Sequence, residues 1–422
     1  MGKKILFISD HGDPLAKLGG KQSGGQNNYV RQLALALDKR GVNVDVVTHW
    51  SNPEAPRTEV FGKNCRVFRI AAGHKGYIAK SEMYHLLPKF FQELKDTVQL
   101  HTYDIIHSHY WLSGLLALFV KRSYNIPIVH TSHSLAAAKK KATGKVETKR
   151  MEAEKAILRR ADKVIATTEN EKQLIENFAN PKADVAVAAI GVDSVFHPYE
   201  KKRRHITKTF SFAGRLEKTK GIFTLLEAFR LYNKQFNNKG RLIIAGGDES
   251  DFDPVTKLPV NDELRKTVSG IEDKVDFLGP KTQEELAELF NNSTAVIVPS
   301  YYESFGMVAA EAQACGTPVI ASAVGGLNDV VADGISGLHI RPKDSVKLSE
   351  AMKLLSRDNF LAKSLGKEAA ERARNVFNWT TIANQIDGIY EKLMNVHDYA
   401  SASDNRTLAG DKDVLKETYY LL

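Results

Sequence analysis

The residues best placed for chemistry are two glutamates, Glu303 and Glu311, in the run Pro299-Ser300-Tyr301-Tyr302-Glu303-Ser304-Phe305-Gly306-Met307-Val308-Ala309-Ala310-Glu311-Ala312. An apolar strand at 295–298 precedes them, so Glu303 falls in the loop after a strand. The helix expected to begin over Ser304 to Met307 carries Glu311 about two turns further on. Ala309, Ala310, Ala312 and Ala314 flank Glu311, and a carboxylate in so small and apolar a helix needs a partner to offset its desolvation. A ribose diol would serve. Paired carboxylates also act as hydrolytic acid and base, but Ser304, Phe305, Gly306 and Met307 at the expected first turn add free N–H groups for an anion or hydroxyls. That combination favours a bound sugar nucleotide.

A basic pair precedes this run. Between a strand at 209–212 and a helix bearing Leu225, Leu226, Ala228 and Phe229 lies Ala213-Gly214-Arg215-Leu216-Glu217-Lys218-Thr219-Lys220-Gly221. Arg215 and Lys220 at a strand-to-helix turn could clamp a diphosphate and stabilise the charge that develops as it leaves. Near the start, Gly19-Gly20-Lys21-Gln22-Ser23-Gly24-Gly25-Gln26-Asn27-Asn28 opens a helix on which Tyr29, Val30, Leu33, Ala34 and Leu37 recur at helical spacing. Glycines such as Gly24 and Gly25 let backbone N–H groups approach a phosphate; a plain turn is the alternative, because G-x-G-x-x-G is not matched.

These motifs follow strands, as ligand sites do in parallel α/β sheets. The expected strands are 5–9, 44–48, 66–70, 104–107, 128–131, 164–168 and 185–190, then 209–212, 242–245, 275–278, 295–298, 318–321 and 337–340, with helical periods between most of them. The fold class is α/β, and 422 residues exceed what one core usually serves. His197-Pro198 and the charged stretch from Glu200 to Arg204 interrupt both periods. The expected domains are therefore 1–195 and 196–395, facing each other across a deep cleft, with a loose tail at 396–422. The last helix, 379–395, is expected to pack back on the first domain.

Composition narrows the classes. No apolar run approaches the roughly 20 residues that span a bilayer, and the opening apolar run is too short for a signal-peptide core, which points to a cytoplasmic protein. Cys65 and Cys315, far apart, argue against a disulfide framework or cysteine zinc site. The net charge of +9 admits nucleic acid, anionic lipid or a phosphate-rich substrate. Its basic clusters, Lys139 to Lys141 with Lys145, Lys149 and Arg150, and Lys201 to Arg204, lack the interleaved aromatics of a nucleic-acid site. Met83, Leu86, Leu87, Phe90, Phe91 and Leu94 form an apolar face that reads more simply as core than as a membrane surface. Asp251-Phe252-Asp253 reads as a surface loop rather than a metal-binding D-x-D, and no metal ligand set is expected.

Glycine-rich loop, Gly-Arg-x5-Gly turn and Glu-x7-Glu, in this order, resemble the family 4 retaining glycosyltransferases of GT-B fold over about residues 1–395. The resemblance implies two Rossmann-like domains, an acceptor-binding one followed by a nucleotide-sugar-binding one. It places Glu303 on the donor sugar, Glu311 on the ribose hydroxyls, Arg215 and Lys220 on the diphosphate, and His133 beside the transferring sugar. It also implies front-face displacement, with the leaving phosphate taking the acceptor's proton, no enzymic nucleophile, no cofactor and no required metal.

Within the family, Ser23 to Val30, His107 to Gly114 and His130 to Ala136 are most similar to the branch containing the mycothiol-pathway inositol-phosphate N-acetylglucosaminyltransferase and sucrose-phosphate synthase. That likeness puts Asn27 on the acceptor side and an acceptor phosphate on Lys80, Tyr110, Ser134 and Arg150, with serine in place of a threonine whose hydroxyl it keeps. It implies transfer of GlcNAc or glucose from a UDP-sugar to a hydroxyl of a small cyclitol phosphate or sugar phosphate. The alternatives are an unphosphorylated aminocyclitol such as 2-deoxystreptamine, or a lipid-linked or polysaccharide acceptor at a membrane surface. No nucleic acid partner is implied; a weak peripheral membrane contact and a homodimer are both compatible with it.

Overall fold

The computed structural model describes residues 2–16, 25–144, 146–200, 207–235 and 240–403. They form two compact units, one of residues 1–189 together with the helix that starts at Trp379, the other Ile190–Asn378.

The first unit holds β1 (Lys4–Ile8), β2 (Asn43–His49), β3 (Thr58–Val60), β4 (Cys65–Ile70), β5 (Ile105–His109), β6 (Ile128–Thr131), β7 (Lys163–Ala166) and β8 (Val185–Val187). Around them run α1 (Gly25–Asp38), α2 (Lys80–Thr97), α3 (Trp111–Tyr124), α4 (Ala136–Thr143), α5 (Thr148–Arg160) and α6 (Glu169–Ala179). The strand order is β3-β4-β2-β1-β5-β6-β7-β8, parallel except for the edge strand β3. Ile5, Leu6, Phe7 and Ile8 are all buried, the continuous apolar pattern of a strand covered on both faces.

The second unit holds β9 (Lys208–Ala213), β10 (Gly240–Ala245), β11 (Val275–Gly279), β12 (Ala295–Val298), β13 (Val319–Ser322) and β14 (Gly337–Ile340). Its helices are α7 (Ile222–Gln235), α8 (Asp262–Val268), α9 (Gln283–Asn291), α10 (Met307–Ala314), α11 (Leu327–Val330), α12 (Ser345–Arg357) and α13 (Asn359–Val376). The sheet is parallel, in the order β11-β10-β9-β12-β13-β14. Each sheet reverses its winding once, between β1 and β5 in the first and between β9 and β12 in the second. The carboxyl ends at such a reversal are where these sheets bind ligands.

The structure moves the expected boundary from 195/196 to 189/190. Val192 donates its N–H to the Phe377 carbonyl at 2.8 Å, which ties the segment after Ala189 to the end of the second unit. The final helix, α14 (Trp379–Ser403), belongs to the first unit. Lys3 and Arg40 both pair with its Asp387, and its Tyr390 hydroxyl meets His107 Nδ1 at 2.6 Å. It runs on past the expected end at 395, so part of the expected tail is helical; residues 404–422 lie outside the described residues. Of the α2 face, Met83, Leu87, Phe90 and Leu94 are buried, and Leu86 and Phe91 pack partly buried against the same core. Both cysteines are buried. No helix among the described residues is long and apolar enough to cross a membrane.

Candidate active site

In the second unit, the turn after β9 and the loop after β12 are tied together by backbone. Tyr301 donates its N–H to the Thr219 carbonyl at 2.8 Å. Gly221, which closes the Gly-Arg-x5-Gly turn, has φ +75°, and a Cβ there would lie 1.9 Å from the Pro299 carbonyl oxygen, so only glycine permits the approach. The consequence is an ion pair, Lys220 Nζ to Glu303 Oε1 at 2.5 Å, with Ser300 Oγ 3.3 Å from the same oxygen. Arg215 stands apart. Its guanidinium is 72% exposed and pairs with Glu217 at 2.7 Å, so the structure puts Lys220, and not Arg215, in contact with Glu303.

The helix after Glu303 starts later than expected. α10 begins at Met307, because Gly306 has φ +107°, outside the right-handed helical region. Ser304 and Phe305 therefore precede the helix rather than forming its first turn, and Glu311 lies little more than about one turn in. The Ser304 hydroxyl bonds Tyr302 Oη at 2.9 Å. Phe305 turns inward, edge-on to Phe377 at 5.8 Å, leaving its backbone alone to face a ligand. Burial pushes the Glu311 carboxyl up to about 7, and the nearby charge of Asp193 adds to the rise. Among the described residues the Glu311 carboxyl makes no hydrogen bond, so the diol partner anticipated for it has no protein substitute.

The sequence reading missed the brace behind this loop. Gly326 donates to the Glu303 carbonyl at 3.0 Å, and a Cβ on Gly325 would come within 2.1 Å of that same oxygen. The adjacent glycine pair was the available signal.

In the first unit, Lys80, Tyr110, Ser134 and Arg150 converge. Arg150, 6% exposed, donates to Ser134 Oγ at 2.8 Å and to the Ser134 carbonyl at 2.9 Å. Its guanidinium lies 4.9 Å from the Tyr110 ring centre and the Lys80 ammonium 5.1 Å from it. Glu154 holds Arg150 at 2.7 Å, whereas Lys80 forms no ion pair among the described residues. Desolvation pushes the Lys80 pKa down; Asp10 opposes this, and Arg150 and Lys139 add to it. Tyr110 takes its place with φ +78° at the head of α3, its N–H bonded to the Thr131 carbonyl at 3.0 Å. Such backbone in a non-glycine residue is a strain that marks functional sites. The surplus of positive charge suits an anion.

Asn27 is buried and donates its side-chain amide to the Asp13 carbonyl at 2.9 Å. Gly25 starts α1 with open space where a Cβ would be. Gly24 and the rest of the glycine-rich loop lie outside the described residues, as do Lys145 and the cluster from Lys201 to Arg204. Lys139 of the other cluster pairs with Glu147 at 2.5 Å.

His133 follows β6 with φ +57°. Its Nε2 meets His109 Nδ1 at 3.0 Å, and the Tyr29 ring stands edge-on at 4.8 Å. Burial pushes its pKa down to about 3, helped by His130 and His11, so the ring is neutral at physiological pH. His130 is instead structural, bonded to Ser108 at 2.9 Å. One further neighbour escaped the sequence reading. Asp10 is fully buried, takes a hydrogen bond from Ser113 Oγ at 2.5 Å, and lies 3.1 Å from His11 Nδ1. Asp253 caps its own turn through Val255 and Thr256, and no cluster of metal-ligating side chains occurs among the described residues.

Comparison with known proteins gives the family and the fold. The sequence profile described as Glycosyltransferase Family 4 matches residues 23–196, and that described as Glycosyl transferases group 1 matches 197–372. D-inositol 3-phosphate glycosyltransferase of Corynebacterium diphtheriae is 35% identical over 96% of this chain and 99% of its own length. The enzyme of the same name from Mycolicibacterium smegmatis is 34% identical over 93% and 92%. Sucrose-phosphate synthase from Thermosynechococcus elongatus has a solved structure with TM-score 0.84 and 34% identity, covering 93% of this chain and all of its own. Fold, family models and relatives thus define a glycosyltransferase. The chain belongs to the family 4 glycosyltransferases and has their GT-B fold.

Proposed function

We propose that this enzyme moves a hexosyl group, GlcNAc or glucose, from a UDP-sugar to a hydroxyl of a small phosphorylated acceptor, a cyclitol phosphate or sugar phosphate, with retention at the anomeric carbon. The observation that carries the reading is the convergence of Lys80, Tyr110, Ser134 and Arg150, with Lys80 outside any ion pair among the described residues. Relatives covering nearly the whole chain are named for an inositol phosphate acceptor and for the synthesis of sucrose phosphate, which supports a phosphorylated acceptor here.

The chemistry follows from positioning and electrostatics. The acceptor hydroxyl attacks the anomeric carbon on the face from which UDP departs. The C–O bond to the diphosphate breaks as the new glycosidic bond forms, and the departing phosphate oxygen takes the hydroxyl proton. Lys220 offsets the charge on the leaving diphosphate, with Arg215 contributing on closing of its exposed side chain. Glu303 addresses the sugar and Glu311 the ribose diol. The positive charge for the leaving group comes from these side chains, so turnover proceeds without an added metal.

The test is UDP release from UDP-GlcNAc and UDP-glucose with inositol phosphate, free inositol, 2-deoxystreptamine and fructose 6-phosphate, chelator present. Turnover that requires a phosphorylated acceptor is expected. Turnover with the plain aminocyclitol alone would overturn the phosphate pocket, and loss of all turnover on chelation would overturn metal independence.

A further inference from the structure

The carboxyl ends of β5 and β6 carry a histidine pair whose geometry restricts where protons sit. His109 Nδ1 and His133 Nε2 are 3.0 Å apart, a hydrogen bond in which one ring must donate and the other accept. His109 cannot turn away. Its ring lies 4.3 Å from that of His107, 4.9 Å from Phe7 and 5.8 Å from Tyr29, centre to centre. His107 is itself fixed at both nitrogens, by the Tyr390 hydroxyl at 2.6 Å and Thr131 Oγ1 at 2.9 Å.

Two arrangements satisfy the pair. In one, His109 Nδ1–H donates to His133 Nε2, and the other nitrogen of His109 is a bare lone pair. In the other, His133 Nε2–H donates to His109, whose own proton then sits on Nε2. That nitrogen is buried with no hydrogen-bond partner among the described residues, so the second arrangement buries an orphaned N–H. Both arrangements leave this nitrogen without its hydrogen bond to water, but an orphaned buried N–H is the rarer defect in folded proteins. The first arrangement is therefore the stable one, and both rings are neutral because burial lowers their pKa values.

From this geometry we infer that His109 is a positioning residue that fixes His133 as the Nδ1–H tautomer, so that His133 presents a hydrogen-bond donor, and not an acceptor, to the sugar being transferred. The half-buried ring of His133 keeps Nδ1 free of any partner among the described residues. A donor there serves a hydroxyl oxygen of the sugar or an oxygen that gains charge as the donor bond breaks. The inference rests on the reading of His133 as a sugar-facing residue, but the tautomer itself is measurable without substrate.

The experiment is long-range nitrogen–proton NMR of the full chain labelled with 15N-histidine, the His133 signals assigned by their loss in H133A. Expected is a protonated Nδ1 and an unprotonated Nε2 on His133. H109N, whose amide nitrogen takes the place of Nδ1, should keep that pattern, while H109F should release it to a mixture. With UDP-sugar, kcat of H109F should fall roughly tenfold with donor KM within about twofold of the parent, and H109N should recover most of the loss. A protonated Nε2 on His133 in the parent protein would overturn the inference whether or not any variant folds. An unchanged tautomer in H109F would overturn it equally. Absence of turnover with every UDP-sugar would instead sink the proposed function and leave the tautomer result standing.

Discussion

The two units handle ionisable groups near their candidate sites differently. In the second, Lys220 and Glu303 already neutralise one another, and Glu311 carries a carboxyl raised by burial. In the first, His107, His109 and His130 are buried and His133 is half-buried, all with lowered pKa values, and charge is concentrated in Arg150 and in Lys80, which has no ion pair among the described residues. A surface whose cation is already matched suits a ligand that brings both a diphosphate and hydroxyls, since the acid and the base each find a new partner. A surface with surplus positive charge suits a ligand that is simply anionic. On the proposed function, the difference suits a donor held by the second unit and a phosphorylated acceptor held by the first.

The sharpest way to break that assignment is Lys220→Ala. It removes the cation proposed for the diphosphate and leaves Glu303 without its ion pair, and the loss should be about 10²–10³ in kcat/KM with either acceptor type. Steady-state kinetics with the donor varied would check it; a loss confined to phosphorylated acceptors would reverse the roles of the units. Arg150→Ala is a poorer probe of the acceptor than its position suggests. Arg150 and Glu154 are both buried and 2.7 Å apart, so truncation strands a carboxylate and should cost about 3 kcal/mol of stability. Urea unfolding would measure this, and the R150A/E154A double variant should regain part of it. Lys80→Ala carries no such penalty. It should reduce kcat/KM by roughly tenfold to thirtyfold for a phosphorylated acceptor, the value of one charge-assisted hydrogen bond, and leave an unphosphorylated cyclitol unaffected. Equal losses with both would remove the phosphate from this pocket.

Much of the fold is readable from the chain because parallel strands buried on both faces leave apolar runs, and thirteen of the fourteen strands among the described residues overlap an expected one. The exception, β3, is a three-residue antiparallel edge strand with exposed ends, too short and polar to have a period. The unit boundary was displaced for a tertiary reason: the backbone bond from Val192 to Phe377 joins segments distant in sequence. In the site, Gly221 was legible as part of a turn, but its necessity depends on the Pro299 carbonyl, which only folding brings near. The α10 start was misplaced because Gly306 reads as tolerable in a first turn until its positive φ is known. Asp10 belongs to no motif, and His109 lies in the run from His107 to Gly114 without a role attached to it. Their significance comes from neighbours supplied by other strands and helices, and neither composition nor spacing encodes that.

The smallest effect expected is also the one that separates binding from folding. The Glu311 carboxyl is raised from 4.5 to about 7 by burial and by Asp193. Between those values the folded protein holds a proton that the unfolded chain has released, so this group makes stability fall as pH rises from about 4.5 to about 7, and the deficit persists above that. Glu311→Gln cannot ionise. Its thermal midpoint should exceed the parent's at pH 8 and match it near pH 4. Donor binding should move the other way, because a carboxylate accepts both hydroxyls of a diol and an amide accepts less well. Calorimetry with UDP should show affinity in the parent improving as pH rises through 7, and a weaker, pH-flat affinity in the variant. A variant that gains stability at pH 8 yet binds UDP like the parent would leave Glu311 as a buried acid with no ribose to hold, and the donor would have to be placed elsewhere in the second unit.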